Sequence, residues 1–457
     1  MKKQASLIAL ITLSAGFQLR AQQAYTVEEC VRIARGENKE IRMKDAKADE
    51  AAQTRRSIRG LFFPSVSASG IAAWNSSGGT LLDIPSIEAS IPVFGTDYPI
   101  SFPGYQVDYK VGGLYYAGVT VQQPLFMGGK IASGYRMSLL GEEAAREQRI
   151  ITENDVIYET CQAYFLLLKA QQLAEVAALG LETVEELYRS VSLACEKGMA
   201  HRSDLMKVEV ARNELILSRK RADNGIRLAR MNLCVKMGIP SAEIAAIEVP
   251  EGFLMPEGDL AIENRPEYRL LEKQVALGRE KVITARSEVL PQLGLQGSYG
   301  YLRGLNVGDE RVLDGGSFTA LVNLKIPIWT SGYASHKIAA AKASLAHNEL
   351  EQEHLAEMMR LEQLQAQGDY EEALLEHQLS QSALELSEEN WSLSQKRYEA
   401  GAETMSELLQ IRTQWHKACE EEVEARCNAL LSMLRYAKTG GRLASLFSSL
   451  SPQAPQD

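Results

Sequence analysis

The chain has 457 residues and a formal net charge of −10, with 45% hydrophobic and 24% charged side chains. That is the make-up of an ordinary folded protein rather than a disordered one. Its acidity argues against nucleic acid as a partner and suits a surface or pore that prefers cations.

Residues 1–21, MKKQASLIALITLSAGFQLRA, carry Lys2 and Lys3, an apolar run from Leu7 to Phe17 and a small residue at Ala21. This is the pattern of a secretory signal, with an apolar run too short to span a bilayer as a helix. No cysteine follows the cleavage point, so a lipid-anchored N-terminus is not expected. Cys30, Cys161, Cys195, Cys234, Cys419 and Cys427 lack C-x-x-C spacing and fall in helical stretches. They read as small packing residues, not as a disulfide framework or metal site.

From residue 22 the proline distribution shows the organisation. Proline is absent from 125–239, 267–290 and 328–451, so long helices are permitted there. A first repeat is predicted over 22–237: a helix at 27–62, strands at 65–74 and 109–123, a long helix at about 130–199, a turn, and a helix at 203–237. Residues 238–265 form an inter-repeat segment. A second repeat over 266–440 has strands at 292–302 and 317–326 and a long helix at about 333–400. Residues 441–457 form a C-terminal tail.

The two repeats keep register. Pro124 in QPLFMGGK and Pro327 in IPIWTSGY are 203 residues apart, and the same offset relates Gly198 to Gly401 and Ser203 to Ser406. Pro64 in FFPSV and Pro291 in VLPQL are 227 apart. The difference is an insertion in the loop at 75–108, expected to face the exterior. Apolar residues in the long helix recur at spacings of three and four, through Cys161, Tyr164, Leu168, Val184, Leu187 and Val191, which is coiled-coil packing.

The strands alternate. Leu293, Leu295, Tyr299 and Tyr301 interleave with Gln292, Gly294, Gln296 and Gly300, and Phe318, Val322 and Leu324 with Ser317, Thr319 and Asn323. Such ten-residue segments fit a membrane β-barrel with a wet lumen or a half-buried soluble sheet. Four strands do not close a barrel in lipid, so the membrane reading requires several copies.

The duplicated helix–hairpin–helix order, the FFPSV/VLPQL and QPLFMGGK/IPIWTSGY junctions and the two G…S-[DE]-L turns resemble the TolC family of bacterial outer-membrane efflux proteins. The resemblance implies a mixed α and β fold: a homotrimer with a twelve-stranded outer-membrane β-barrel continuous with a long α-helical coiled-coil barrel across the periplasm. It also implies an equatorial region built from 238–265 and the two chain ends. A periplasmic adaptor (membrane fusion protein), an inner-membrane pump and outer-membrane lipid are the implied partners. The implied function is a passive exit duct in a tripartite efflux or type I secretion system, gated at its periplasmic tip. No enzyme motif, cofactor or metal site is predicted. The rival reading is a periplasmic coiled-coil scaffold or adaptor without a barrel.

The family's gate maps onto the turns. Its aspartate and tyrosine correspond to Asp204 and Tyr398, and its acidic ring to Glu407. Gln410 stands where a second aspartate is expected, and Glu403, facing the Ser203 position, where a tying arginine is expected. Gly198 and Gly401 lie in the turns implied to dock the adaptor. The plainer readings are a charged first helical turn for Asp204, packing for Tyr398, a solvated face for Glu407, and left-handed turn residues for the glycines.

Overall fold

The computed structural model describes residues 25–74, 82–83, 89–93, 96–100, 106–107, 111–240, 247–248, 261–307 and 310–447. The signal segment, most of the 75–108 insertion, most of 238–265 and the last residues of the tail lie outside this set.

The helices are α1 (Val27–Glu37), α2 (Lys39–Gly60), α3 (Lys130–Glu196), α4 (Arg202–Met237), α5 (Pro266–Arg286), α6 (Tyr333–Glu399), α7 (Met405–Thr439) and α8 (Leu443–Leu446). The strands are β1 (Ser65–Trp74), β2 (Leu82–Asp83), β3 (Ala89–Val93), β4 (Thr96–Ile100), β5 (Gln106–Val107), β6 (Val111–Met127), β7 (Gln292–Val307) and β8 (Glu310–Lys325). The long helices α3 and α6 have 67 residues each, about 100 Å at 1.5 Å per residue. Their lengths match because neither contains a proline and both stop at a glycine in the left-handed region.

One departure from the sequence reading is the break at Asn38, which divides the helix expected over 27–62. Asn38 is buried and extended, with ψ 130°. Its Nδ2 donates to the carbonyl of Lys236 at 2.7 Å, and its Oδ1 accepts from Glu40 N–H at 2.7 Å. The side chain thus caps α2 while tying it to the end of α4. A second departure is inside the insertion, where β2 pairs with β5 and β3 with β4, both antiparallel, as a nested ladder.

The chain divides into two compact units, each drawing segments from both repeats. One comprises 51–141 and 276–346 and contains a four-stranded antiparallel sheet in the order β1-β6-β7-β8. Directly paired residues share a face, so the register sorts the side chains. Val66, Val121, Tyr299, Phe318 and Val322 fall on one face, with Tyr299 opposite Phe318 and Val119. Ser67, Thr120, Ser298 and Thr319 form a row on the other. The apolar face is open in the single chain: Phe318 is 73% and Val322 69% exposed. The outer edges of β1 and β8 have no strand partner among the described residues.

The other unit comprises 1–50, 142–275 and 347–457 and holds two hydrophobic clusters. The larger joins α1, the middle of α3, the ends of α4 and α7, and α8, through residues such as Val31, Tyr164, Leu233, Leu434 and Phe447. Tyr164 is fully buried, and its hydroxyl donates to the carbonyls of Tyr25 and Glu248 at 3.0 and 2.5 Å. Tyr25 and Ile247 also form a parallel bridge. The N-terminal and inter-repeat segments therefore meet on α3 here. No helix among the described residues is long and apolar enough to cross a membrane.

Candidate functional site

The two helical turns are built identically. After α3, Met199 N–H donates to Ala194 O at 2.8 Å and Gly198 N–H to Cys195 O at 3.0 Å. After α6, Ala402 N–H donates to Arg397 O at 2.8 Å and Gly401 N–H to Tyr398 O at 2.9 Å. Gly198 and Gly401 have φ of 71° and 73°, the left-handed conformation such a helix end needs. Each of these backbone bonds has its counterpart 203 residues later, so the sequence offset holds down to single hydrogen bonds.

The helices that leave the turns start differently. His201 precedes α4 without a side-chain cap. Thr404 precedes α7 with a complete capping box: Glu407 N–H donates to Thr404 Oγ1 at 3.3 Å, and Glu407 Oε2 accepts from Thr404 N–H at 2.8 Å and from its hydroxyl at 2.7 Å. These bonds hold the Glu407 carboxyl below the usual carboxylate range while it stays fully exposed. Glu407 is thus a fixed anion at the surface of the turn.

Tyr398 packs against the small hydrophobic cluster at the turns and makes no hydrogen bond to Asp204 among the described residues, so the expected latch bond is not formed within one chain. Burial raises the Tyr398 phenol pKa first, and the charge of Asp204 raises it further. The Asp204 carboxylate pairs with Lys207 Nζ at 3.3 Å, one turn along α4. That ammonium also donates to Ser406 Oγ at 2.9 Å, so it bridges the start of α4 to the start of α7. The i,i+3 spacing of Lys207 from Asp204 is the signal of this pair in the sequence, whereas its bond to Ser406 has no local signal. Glu403 turns back onto its own hairpin, where Oε1 accepts from buried Ser394 Oγ at 2.9 Å. Ser203 and Gln410 are exposed.

Behind the turns sits the smaller cluster, with Val184, Val191, Val208, Leu215, Trp391 and Leu408. It draws on α3, α4, α6 and α7, and Trp391 stacks on Trp415 at 6.1 Å between ring centroids. Further along α7 two polar groups enter the seam. Arg412 is 6% exposed, and its Nε and Nη1 have no hydrogen-bond partner among the described residues. His416 packs on Gly180, where an added Cβ would lie 3.0 Å from the imidazole. Burial, and then the nearby Arg412 charge, hold the His416 pKa below its ordinary value against the opposing pull of Glu420. Arg412 occupies a position that the 405–408–412–415 spacing assigns to the core, a conflict legible in the sequence.

One unit supplies an amphipathic four-stranded sheet and the other two long helical hairpins with matched turns, the parts of a channel protein. The outer membrane efflux protein model matches residues 30–225 and 258–437, and the chain belongs to that family. It is 27% identical over 338 residues to the pyoverdine export outer membrane protein OpmQ of Pseudomonas aeruginosa, covering 69% of this chain and 67% of that protein. It is 25% identical over 326 residues to protein CyaE of Bordetella pertussis, covering 67% of this chain and 66% of that one. The CmeC outer membrane channel of Campylobacter jejuni has the same fold, with a TM-score of 0.75 at 16% identity over 91% of this chain and 86% of its own. The protein is an outer-membrane efflux channel component of TolC-like fold, with its helical part in the periplasm.

Proposed function

We propose that the channel is a homotrimer whose three sheets close one twelve-stranded barrel, and that the paired turns form its periplasmic gate. The observation that carries this is the four-stranded sheet with two open edges, one apolar face and one Ser/Thr/Gln face. In lipid such edges must be paired, and closure by repetition pairs them. The α6 helix supports the same reading, because Leu350, Leu361, Leu364, Leu379 and Leu386 are all more than half exposed in one chain. Such a stripe along a helix needs a neighbour.

At the gate, Glu407 contributes an acidic ring, Asp204 and Tyr398 with Lys207 and Ser406 hold the helices shut, Ser203 and Gln410 line the approach, and Glu403 braces the turn through Ser394. The Gly198 and Gly401 turns are the docking points for a periplasmic adaptor that links the duct to an inner-membrane pump. The Ser and Thr rows of the sheet's polar face carry no charge, and Lys325 opposite Gln292 adds a cation, so selection for cations falls to the acidic turns. Mass measured in detergent tests the assembly: three protomers per particle is the expected result, and a stable monomer overturns it. A barrel also gives heat-modifiable migration, which a periplasmic scaffold lacks.

A further inference from the structure

The segments that join the sheet to the helices carry a charge opposite to that of the whole chain. They are 51–64, 128–141, 276–291 and 327–346, all within one compact unit. Together they hold ten Lys and Arg side chains against two acids, Glu280 and Glu288, in a chain whose net charge is −10. Both acids are already used: Arg136 pairs with Glu280 at 3.1 Å and Lys337 with Glu288 at 2.5 Å. Arg56, Arg59, Lys281 and Arg286 are exposed and make no ion pair in the chain among the described residues. A one-signed cluster of this kind repels itself unless counter-charge comes from outside.

The position of the cluster says what that counter-charge is. Between the apolar sheet face and the basic residues lies a belt of exposed apolar side chains. Phe62 is 43%, Phe63 59%, Ile328 94% and Trp329 84% exposed. Aromatic residues favour the boundary between hydrocarbon and headgroups. Arg59 and Arg286 each precede the first strand residue, Ser65 or Gln292, by six positions. The intervening residues are a turn at 61–64 and a single 3-10 turn at Ser287–Val289, so these charges stand on the order of 10 Å beyond the sheet. The polar zone of a bilayer is about 5–8 Å deep on each side, and long basic side chains reach back towards it along their aliphatic stems. The order is therefore apolar face, aromatic belt, basic collar, with the collar at phosphate depth on the helical side.

We infer that this collar binds the anionic headgroups of the phospholipid leaflet that faces the periplasm. The inference rests on the membrane-barrel reading above. Each basic side chain at an anionic surface is worth about a fivefold preference for the charged lipid.

The test uses the full-length protein in nanodiscs of phosphatidylethanolamine alone or mixed with phosphatidylglycerol, with retained lipids counted by native mass spectrometry. The wild type should retain phosphatidylglycerol selectively, and high salt should erode the preference. Arg56→Gln/Arg59→Gln/Arg286→Gln should reduce the preference by about tenfold or more, and the matching triple Lys variant should restore it. Equal retention of the two lipids by the wild type overturns the inference, as does an undiminished preference in the Gln variant. If the Gln variant does not fold, the wild-type comparison between lipids and salts decides alone. Failure to insert in either lipid composition would sink the barrel reading instead.

Discussion

Lys207 is the test of the gate, because its ammonium bridges two hairpins that are far apart in sequence. Lys207→Gln removes the 3.3 Å pair with Asp204 and weakens the 2.9 Å bond to Ser406. The pair is partly solvated, with Lys207 46% and Asp204 27% exposed, so screening keeps it near about 0.2–1 kcal/mol. The hydrogen bond adds about 0.5–1.5 kcal/mol before the same discount. About 1 kcal/mol per protomer is a fair total. Three copies acting together would shift the closed-to-open balance by about 3 kcal/mol, on the order of a hundredfold. Current through planar bilayers reads this shift directly. Ser406→Ala should give a smaller increase, and the double variant should fall short of the sum, because both changes break one bridge. Wild-type conductance in Lys207→Gln would refute the gate assignment at these turns.

Three further outcomes follow from the same geometry. An added Cβ at Gly198 or Gly401 meets nothing within 4 Å, whereas at Gly238 it would sit 2.6 Å from the Glu37 carbonyl oxygen. Gly198→Ala and Gly401→Ala should each cost only the left-handed backbone penalty of about 1–2 kcal/mol, and Gly238→Ala clearly more in thermal unfolding; equal losses would contradict this. Glu407→Gln keeps a capping box but loses its charge-assisted bonds, so it should lower cation selectivity and cation block with only a small loss of stability. Unchanged selectivity would place Glu407 away from the pore. For His416 the folded pKa lies below the free value of 6.5. Between those two values the unfolded chain binds more protons, so stability falls as pH drops through that window. Amide protection factors in α7, taken relative to the intrinsic exchange rate at each pH, should fall on acidification in the wild type and lose that slope in His416→Gln; an identical slope in both would rule His416 out.

The repeat, the long helices and the strands were legible because their signals are local. Proline gaps, alternation of two and spacings of three and four need no knowledge of the partner. The glycine turns were legible for the same reason. What escaped needed contacts across long separations. The break at Asn38 exists because its amide finds the Lys236 carbonyl 198 residues away. Gly180 reads as a defect in α3 until His416 is placed against it. Lys207 looks like an ordinary first-turn pair until Ser406 arrives from the other repeat. The capping box at Thr404 and Glu407 is different, since T-x-x-E was in plain view.

The size of the tip cluster limits how such a gate moves. Eight side chains, among them Val184, Val208, Trp391 and Leu408, are buried there between α3, α4, α6 and α7. At about 1.5–3 kcal/mol for each large apolar side chain, separating the four helices would cost well over 10 kcal/mol per protomer. The Lys207 bridge is worth about a tenth of that, so a motion it controls cannot pull the cluster apart. Opening that responds to Lys207 has to be a shear, in which the cluster slides and repacks while staying dry. A slide of a few ångströms is enough to break a hydrogen bond of 2.9 Å at the turn. The seam next to the cluster suits such a slide. Ala418, Val423 and Ala425 present small or modest buried surfaces there. The neighbouring Arg412, buried with two unpaired nitrogens, holds the helices less firmly than an apolar residue would.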